Sequence, residues 1–154
     1  MELTFPYTIS VRLPSDLEII PSIRKFVSEV LQVSGFSAKF AFRSEIIVDA
    51  ICNNAITYGS EGGAESEVEA SCVIYEDRME IVVKDSGGTL TNIERLKDAV
   101  RRSRLGLPLS DYGPSGMGLE IVKLLSETIE LNVDENNVTS IHVVRKREEV
   151  SQAS

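Results

Sequence analysis

Gly113-Pro114-Ser115-Gly116-Met117-Gly118-Leu119, running straight into Glu120-Ile121-Val122-Lys123-Leu124-Leu125, is the stretch on which the reading of this chain turns. Three glycines let the backbone approach a ligand closely, and the helix that follows presents unpaired N–H donors at its start. Together they make a seat for an anionic group such as phosphate. The spacing is not GxxxxGK[ST], and no strand leads directly into it, so neither the P-loop nor the dinucleotide fingerprint applies. Taken alone, a glycine-rich turn ahead of a helix is more often plain loop chemistry. It gains meaning from two other segments.

The first is Ile81-Val82-Val83-Lys84-Asp85-Ser86-Gly87-Gly88, a strand running into an acid and paired glycines. A carboxylate fixed at a strand end can accept from an exocyclic amine, and Gly87 would let a flat ring lie against the backbone. The second is Glu45 to Gly59, an apolar helical run interrupted by Asn53 and Asn54. Adjacent asparagines are poor helix formers and costly if buried unpaired, so a polar ligand or a metal would account for them.

Working outward, Thr4 to Leu13 alternates as a strand that Pro14 stops. Ser15 or Asp16 can cap a helix carrying Leu17, Ile20, Ile23, Phe26, Val27, Val30 and Leu31, with Gly35 past its end. Ser37 opens a second helix that reaches Tyr58-Gly59. Val68 to Tyr75 and Met79 to Val83 alternate as a hairpin around Glu76-Asp77-Arg78. Ile93, Leu96 and Val100 mark a short helix, after which the charged segment from Arg101 to Pro108 reads as a mobile lid. A helix from Gly116 to Glu127 and two strands, Thr128 to Val133 and Val138 to Val144, close the chain around Asn136-Asn137. This order describes an α/β chain of the α+β two-layer kind, with helices on one face of a mixed, mostly antiparallel sheet. Residues 1–146 read as a single domain and 147–154 as a polar, frayed tail.

Composition narrows the function. The 154 residues, 42% of them hydrophobic, suffice for one core. A net charge of -8, from 24 acidic against 16 basic residues, argues against nucleic acid as a partner. No apolar run of about 18 residues and no cleavable leader is present, so a soluble, cytoplasmic chain without membrane contact is expected. Cys52 and Cys72 lack metal-ligand spacing and read as buried free thiols, and His142 alternates off the core face as a surface histidine.

In this order and at these separations, the three segments resemble the nucleotide-binding boxes of the ATPase superfamily that contains gyrase, Hsp90, histidine kinases and MutL. The match spans roughly residues 40–145. Compact size and a short lid make the chain most similar to the bacterial anti-sigma-factor serine/threonine kinases of that superfamily. The resemblance implies a Bergerat-type ATP-binding fold, ATP and Mg²⁺ as cofactors, and a homodimer. It implies Asn54 as the residue holding Mg²⁺ against the phosphates, Asp85 as the partner of the adenine amino group, and Gly87 as the space for the ring. Gly113, Gly116, Met117, Gly118 and Leu119 would wrap the phosphates, and Arg101, Arg102 or Arg104 would be candidates to reach the terminal one. The implied protein partners are a sigma factor and an anti-sigma-factor antagonist, with a serine or threonine of the antagonist as phosphate acceptor.

The pattern is broken in two places. The family carries a catalytic glutamate four residues before the asparagine, and here that position is Ala50. At about 100° per residue, Ala50 lies within roughly 40° of Asn54 on the helix surface and Asp49 roughly 140° away. A second register, with Asn53 as metal ligand and Asp49 as catalytic base, restores the spacing. It also puts Asn54 where the family has a small apolar residue and shifts Tyr58-Gly59 out of step, so the Asn54 register is preferred. The adenine box has Thr89 in place of the family's second glycine, with Gly88 as a substitute source of flexibility. Two functions therefore compete: an ATP-dependent kinase with a displaced base, and a noncatalytic ATP-dependent protein-binding module. An α/β domain without nucleotide is the third.

Overall fold

The structure, a computed structural model, describes residues 4–14, 16–59, 67–85, 90–108, 114–136 and 138–147. Strand β1 (Tyr7–Pro14) leads through a 3-10 turn at Leu17–Ile19 into α1 (Ile20–Val33) and α2 (Ala38–Gly59). There follow β2 (Glu67–Ile74), β3 (Arg78–Asp85), α3 (Leu90–Arg104), α4 (Pro114–Leu125), β4 (Thr128–Val133) and β5 (Thr139–Lys146).

Local chemistry sets the helix ends. The Asp16 carboxylate accepts from the Glu18 N–H at 2.9 Å, and Pro21 occupies the first turn of α1, where its missing N–H costs nothing. Ile20, Ile23, Val27 and Leu31 then form the buried stripe that the spacing predicts. At its end the Gly35 N–H bonds to the Gln32 carbonyl and the Phe36 N–H to the Leu31 carbonyl, with Gly35 at φ 91°. This is a Schellman closure, and it needs a residue that tolerates the left-handed region. Ser37 Oγ accepts from the Phe40 N–H at 3.0 Å and starts α2.

The same closure moves one boundary. Gly106 stands at φ 71°, its N–H on the Ser103 carbonyl and that of Leu107 on the Arg102 carbonyl, so Arg101 to Arg104 are the last turn of α3. The charged run read as a lid therefore begins inside a helix. Arg101 pairs with Asp98 one turn back at 2.7 Å, and the Arg104 guanidinium donates twice to the Ile129 carbonyl, at 3.0 and 2.8 Å. Arg104 is thereby held beside the start of β4. A cleft of about 340 Å³ there is lined by Arg104, Lys123 and Glu127, among others, none of them from the three boxes.

The strands form one sheet in the order β1-β2-β3-β5-β4. All described pairings are antiparallel, so the mixed component expected from the sequence is absent among the described residues. The reason is topological. β3 and β4 run in the same direction, but β5 returns between them and pairs antiparallel with both. Alternation then buries one face: Val68, Ala70, Cys72 and Ile74 of β2, Met79, Ile81 and Val83 of β3, and Ile141 and Val143 of β5. The helices cover that face alone, with α2 in the middle, packed on α1, α3, α4, β3 and β5. Phe40, Ile47 and Ile51 of α2, Leu96 of α3, and Leu119 and Val122 of α4 meet there, each worth roughly 1.5–3 kcal/mol on full burial for the large aliphatic side chains.

Cys52 and Cys72 are buried free thiols, as expected. His142 lies on the open sheet face with Nε2 2.8 Å from Glu80 Oε1. Arg147, first residue of the segment read as a tail, is tied down: its side chain donates to the Glu76 and Gly35 carbonyls and its N–H to that of Asp77. Among the described residues no helix is long and apolar enough to cross a membrane.

Candidate functional site

The elements that carry the three boxes meet. α2, with Asn53 and Asn54, packs along α4 and against β3, at whose end Asp85 stands. Helix spacing explains why Asn54 faces inward: it follows Ile47 and Ile51 at intervals of four and three, on the buried row of α2. Its side chain is 1% exposed. Nδ2 donates to the Ala50 carbonyl at 3.0 Å, and Oδ1 has no hydrogen-bond partner among the described residues. An orphaned amide oxygen in the core costs about 1–3 kcal/mol, which makes it a site waiting for a donor or a cation. Asn53, one residue round the helix, is half-buried and turns its amide back onto the Asp49 carbonyl at 2.7 Å.

Asp49 looks elsewhere. Its carboxylate takes Arg24 of α1 at 3.3 Å, both side chains close to half exposed, so the pair contributes little to stability. The structure turns Asp49 towards α1 and not towards the buried row of Asn54. Ala50, in the position of the family's glutamate, is half-buried against the core and carries no titratable group.

Asp85 is 1% exposed and continues the inward row of Met79, Ile81 and Val83. A carboxylate at that depth favours a ligand that can donate to it. Thr139, directly opposite in the β3–β5 register, is equally buried, and its hydroxyl lies 3.4 Å from the Asp85 carbonyl oxygen. Sequence reading passed over Thr139; its signal is a hydroxyl on the inward row that it shares with Ile141 and Val143, and its place opposite Asp85 is visible only once the register is known.

Helix α4 begins at Pro114, two residues before the expected start. Proline suits a first helical position, so Gly116, Met117 and Gly118 belong to the opening turns of the helix. The N–H groups of Ser115 and Gly116 lack intrahelical acceptors by their position and are the donors an anion would use. Leu119 is 0% exposed and packs in the core, so what it can offer a ligand is backbone. Gly113, Gly87 and Gly88 lie outside the described residues. Among the described residues no three His, Cys, Asp or Glu side chains converge as a metal cage. The buried Asn54 oxygen fits a different kind of metal site, one completed by the oxygens of a bound phosphate.

Residues 13–143 match the histidine kinase-like ATPase domain. The chain belongs to that family. The resemblance drawn from the three boxes is thus borne out, and an ATP-binding α+β domain is what the family implies. The chain is similar to the serine-protein kinase RsbW of Halalkalibacterium halodurans, 26% identical over 97% of this chain and 91% of the relative. The RsbW proteins of Bacillus pumilus, 25% identical over 92% and 88%, and of Listeria monocytogenes, 26% over 82% and 80%, are comparable.

Proposed function

We propose that this chain is an ATP- and Mg²⁺-dependent regulator of the anti-sigma-factor type. It sequesters a sigma factor and phosphorylates a serine or threonine of an antagonist protein, acting in the cytoplasm as a homodimer. The observation that carries the reading is two deeply buried polar groups, Asn54 on α2 and Asp85 at the end of β3, with α2 packed against both β3 and α4, in a chain similar over most of its length to serine-protein kinases. Asp85 accepts from the adenine amino group. Asn54 Oδ1 would hold the metal ion, and the opening N–H groups of α4 would face the phosphate oxygens. When bound, Mg²⁺ neutralises charge on the transferred phosphoryl group.

In transfer, the bond from the γ-phosphorus to the β–γ bridging oxygen breaks, that oxygen departs with ADP, and the phosphorus bonds to the acceptor hydroxyl oxygen, whose proton passes to solvent water. Phosphoryl transfer depends mainly on positioning and electrostatics, so loss of a base slows the step without abolishing binding. Ala50 in the base position, with Asp49 held by Arg24, favours a second reading: a noncatalytic module that binds partners in response to ATP. Labelled ATP and a cognate antagonist separate the two. Transfer by the wild type, lost in Asp85→Asn and raised in Ala50→Glu, supports the kinase. Nucleotide-dependent partner binding with no phosphoprotein supports the module, and transfer indifferent to Asp85→Asn sinks the site.

A further inference from the structure

Arg145 is an arginine 3% exposed at the inward end of β5, a position the alternation assigns to the core. Nε donates to the Leu125 carbonyl at 3.0 Å; one terminal nitrogen donates to the Phe40 carbonyl at 2.7 Å and to Ser44 Oγ at 3.0 Å. The guanidinium also lies 3.9 Å over the Phe40 ring. Leu125 is the last residue of α4, and Phe40 and Ser44 belong to the first turns of α2. One side chain therefore joins the end of one helix to the beginning of the other, and the cation faces the negative end of the α4 dipole. The Glu127 N–H on the Val144 carbonyl, at 2.8 Å, fastens the same corner to β5.

The two helices pack side by side with opposite chain sense, α2 leaving this corner and α4 ending at it. At 1.5 Å per residue, Asn54 lies ~21 Å along α2 from Phe40 and the start of α4 ~17 Å from Leu125. A tilt of ~3° at the corner displaces those far ends by ~1 Å, by the same helix geometry. A displacement of that size is enough to spoil the placement of a reacting group. We propose that Arg145 is a positioning residue: it sets the separation between Asn54 and the opening turns of α4, and so the fit of the phosphates, from the opposite end of both helices. This rests on the proposed nucleotide site. The adenine end, built on Asp85 and Thr139 of β3 and β5, is fixed by the sheet ladder and is independent of the clamp.

The test compares adenosine with ATP-Mg²⁺ by calorimetry on the wild type, Arg145→Met and Arg145→Lys, with circular dichroism to confirm folding. Adenosine affinity is expected to stay within about twofold, while ATP affinity falls about tenfold or more in Arg145→Met. Arg145→Lys, which keeps the charge but not the fork, should fall between. Amide exchange over residues 119–125 and 40–48 should rise in both variants. If Arg145→Met does not fold, the Arg145→Lys ratio decides. Equal losses for adenosine and ATP, or no loss for either, overturn the inference alone; a wild type that binds neither ligand overturns the nucleotide site and the inference together.

Discussion

Replacing Asn54 by leucine separates a binding group from a structural one. The two side chains are close in volume, and position 54 sits on an apolar row, so leucine enters the core without a cavity. The substitution removes the bond from Nδ2 to the Ala50 carbonyl, worth about 0.5–1.5 kcal/mol, and the penalty of the orphaned Oδ1, about 1–3 kcal/mol. The ligand-free variant should therefore be more stable than wild type by about 1 kcal/mol, a rise in Tm of roughly 2–4 °C for a chain of this size. A ligand at about 100 times its Kd stabilises the native state by about 2.7 kcal/mol, or roughly 5–10 °C here. Wild type should show that shift with ATP and Mg²⁺, and Asn54→Leu should lose most of it. Thermal unfolding with and without the nucleotide reads both effects. A variant more than about 2 kcal/mol less stable than wild type that keeps the ATP-Mg²⁺ shift would falsify the assignment and make Asn54 a packing residue.

Two further outcomes follow from the described geometry. Gly35→Ala forces an L-residue to φ 91° and should cost about 1–2 kcal/mol, seen as a Tm lower by a few degrees; nearby Arg147 leaves room for the methyl group, so an unchanged Tm would show that the closure of α1 is not under left-handed constraint. Burial pushes the Cys52 and Cys72 thiols up to about 12 from 9.0, with Asp49 a smaller cause at Cys52. The unfolded chain releases these protons first as pH rises, so their contribution is full below pH 9 and is lost progressively towards pH 12. Native-state alkylation should accordingly stay slow and nearly flat from about pH 7 to 9, and rapid labelling of either thiol in folded protein would contradict the burial.

Much of this molecule is local, and the local part was legible. Capping residues, the glycine at 35, the apolar stripes of α1 and α2 and the alternation of β2, β3 and β5 all act within a few residues, so periodicity and turn chemistry report them directly. The family was legible for a related reason. Phosphate, metal and adenine each demand particular residue types at fixed intervals, and three such segments in order are hard to produce by chance.

What the tertiary structure alone decided are the facts that need two distant segments at once. Insertion of β5 between β3 and β4 turned an expected mixed sheet into an antiparallel one and set Thr139 opposite Asp85. The α1–α2 packing gave Asp49 a partner in Arg24, a fact helix geometry could suggest only as an angle. Arg104 was drawn to the Ile129 carbonyl, and Arg145 was placed in the corner between α2 and α4. The sequence alone determined the residue types at the three boxes and the missing carboxylate at Ala50. Their partners came from the fold, because an arginine's acceptors are chosen by register and helix packing across a hundred residues, and no pattern along the chain encodes that proximity.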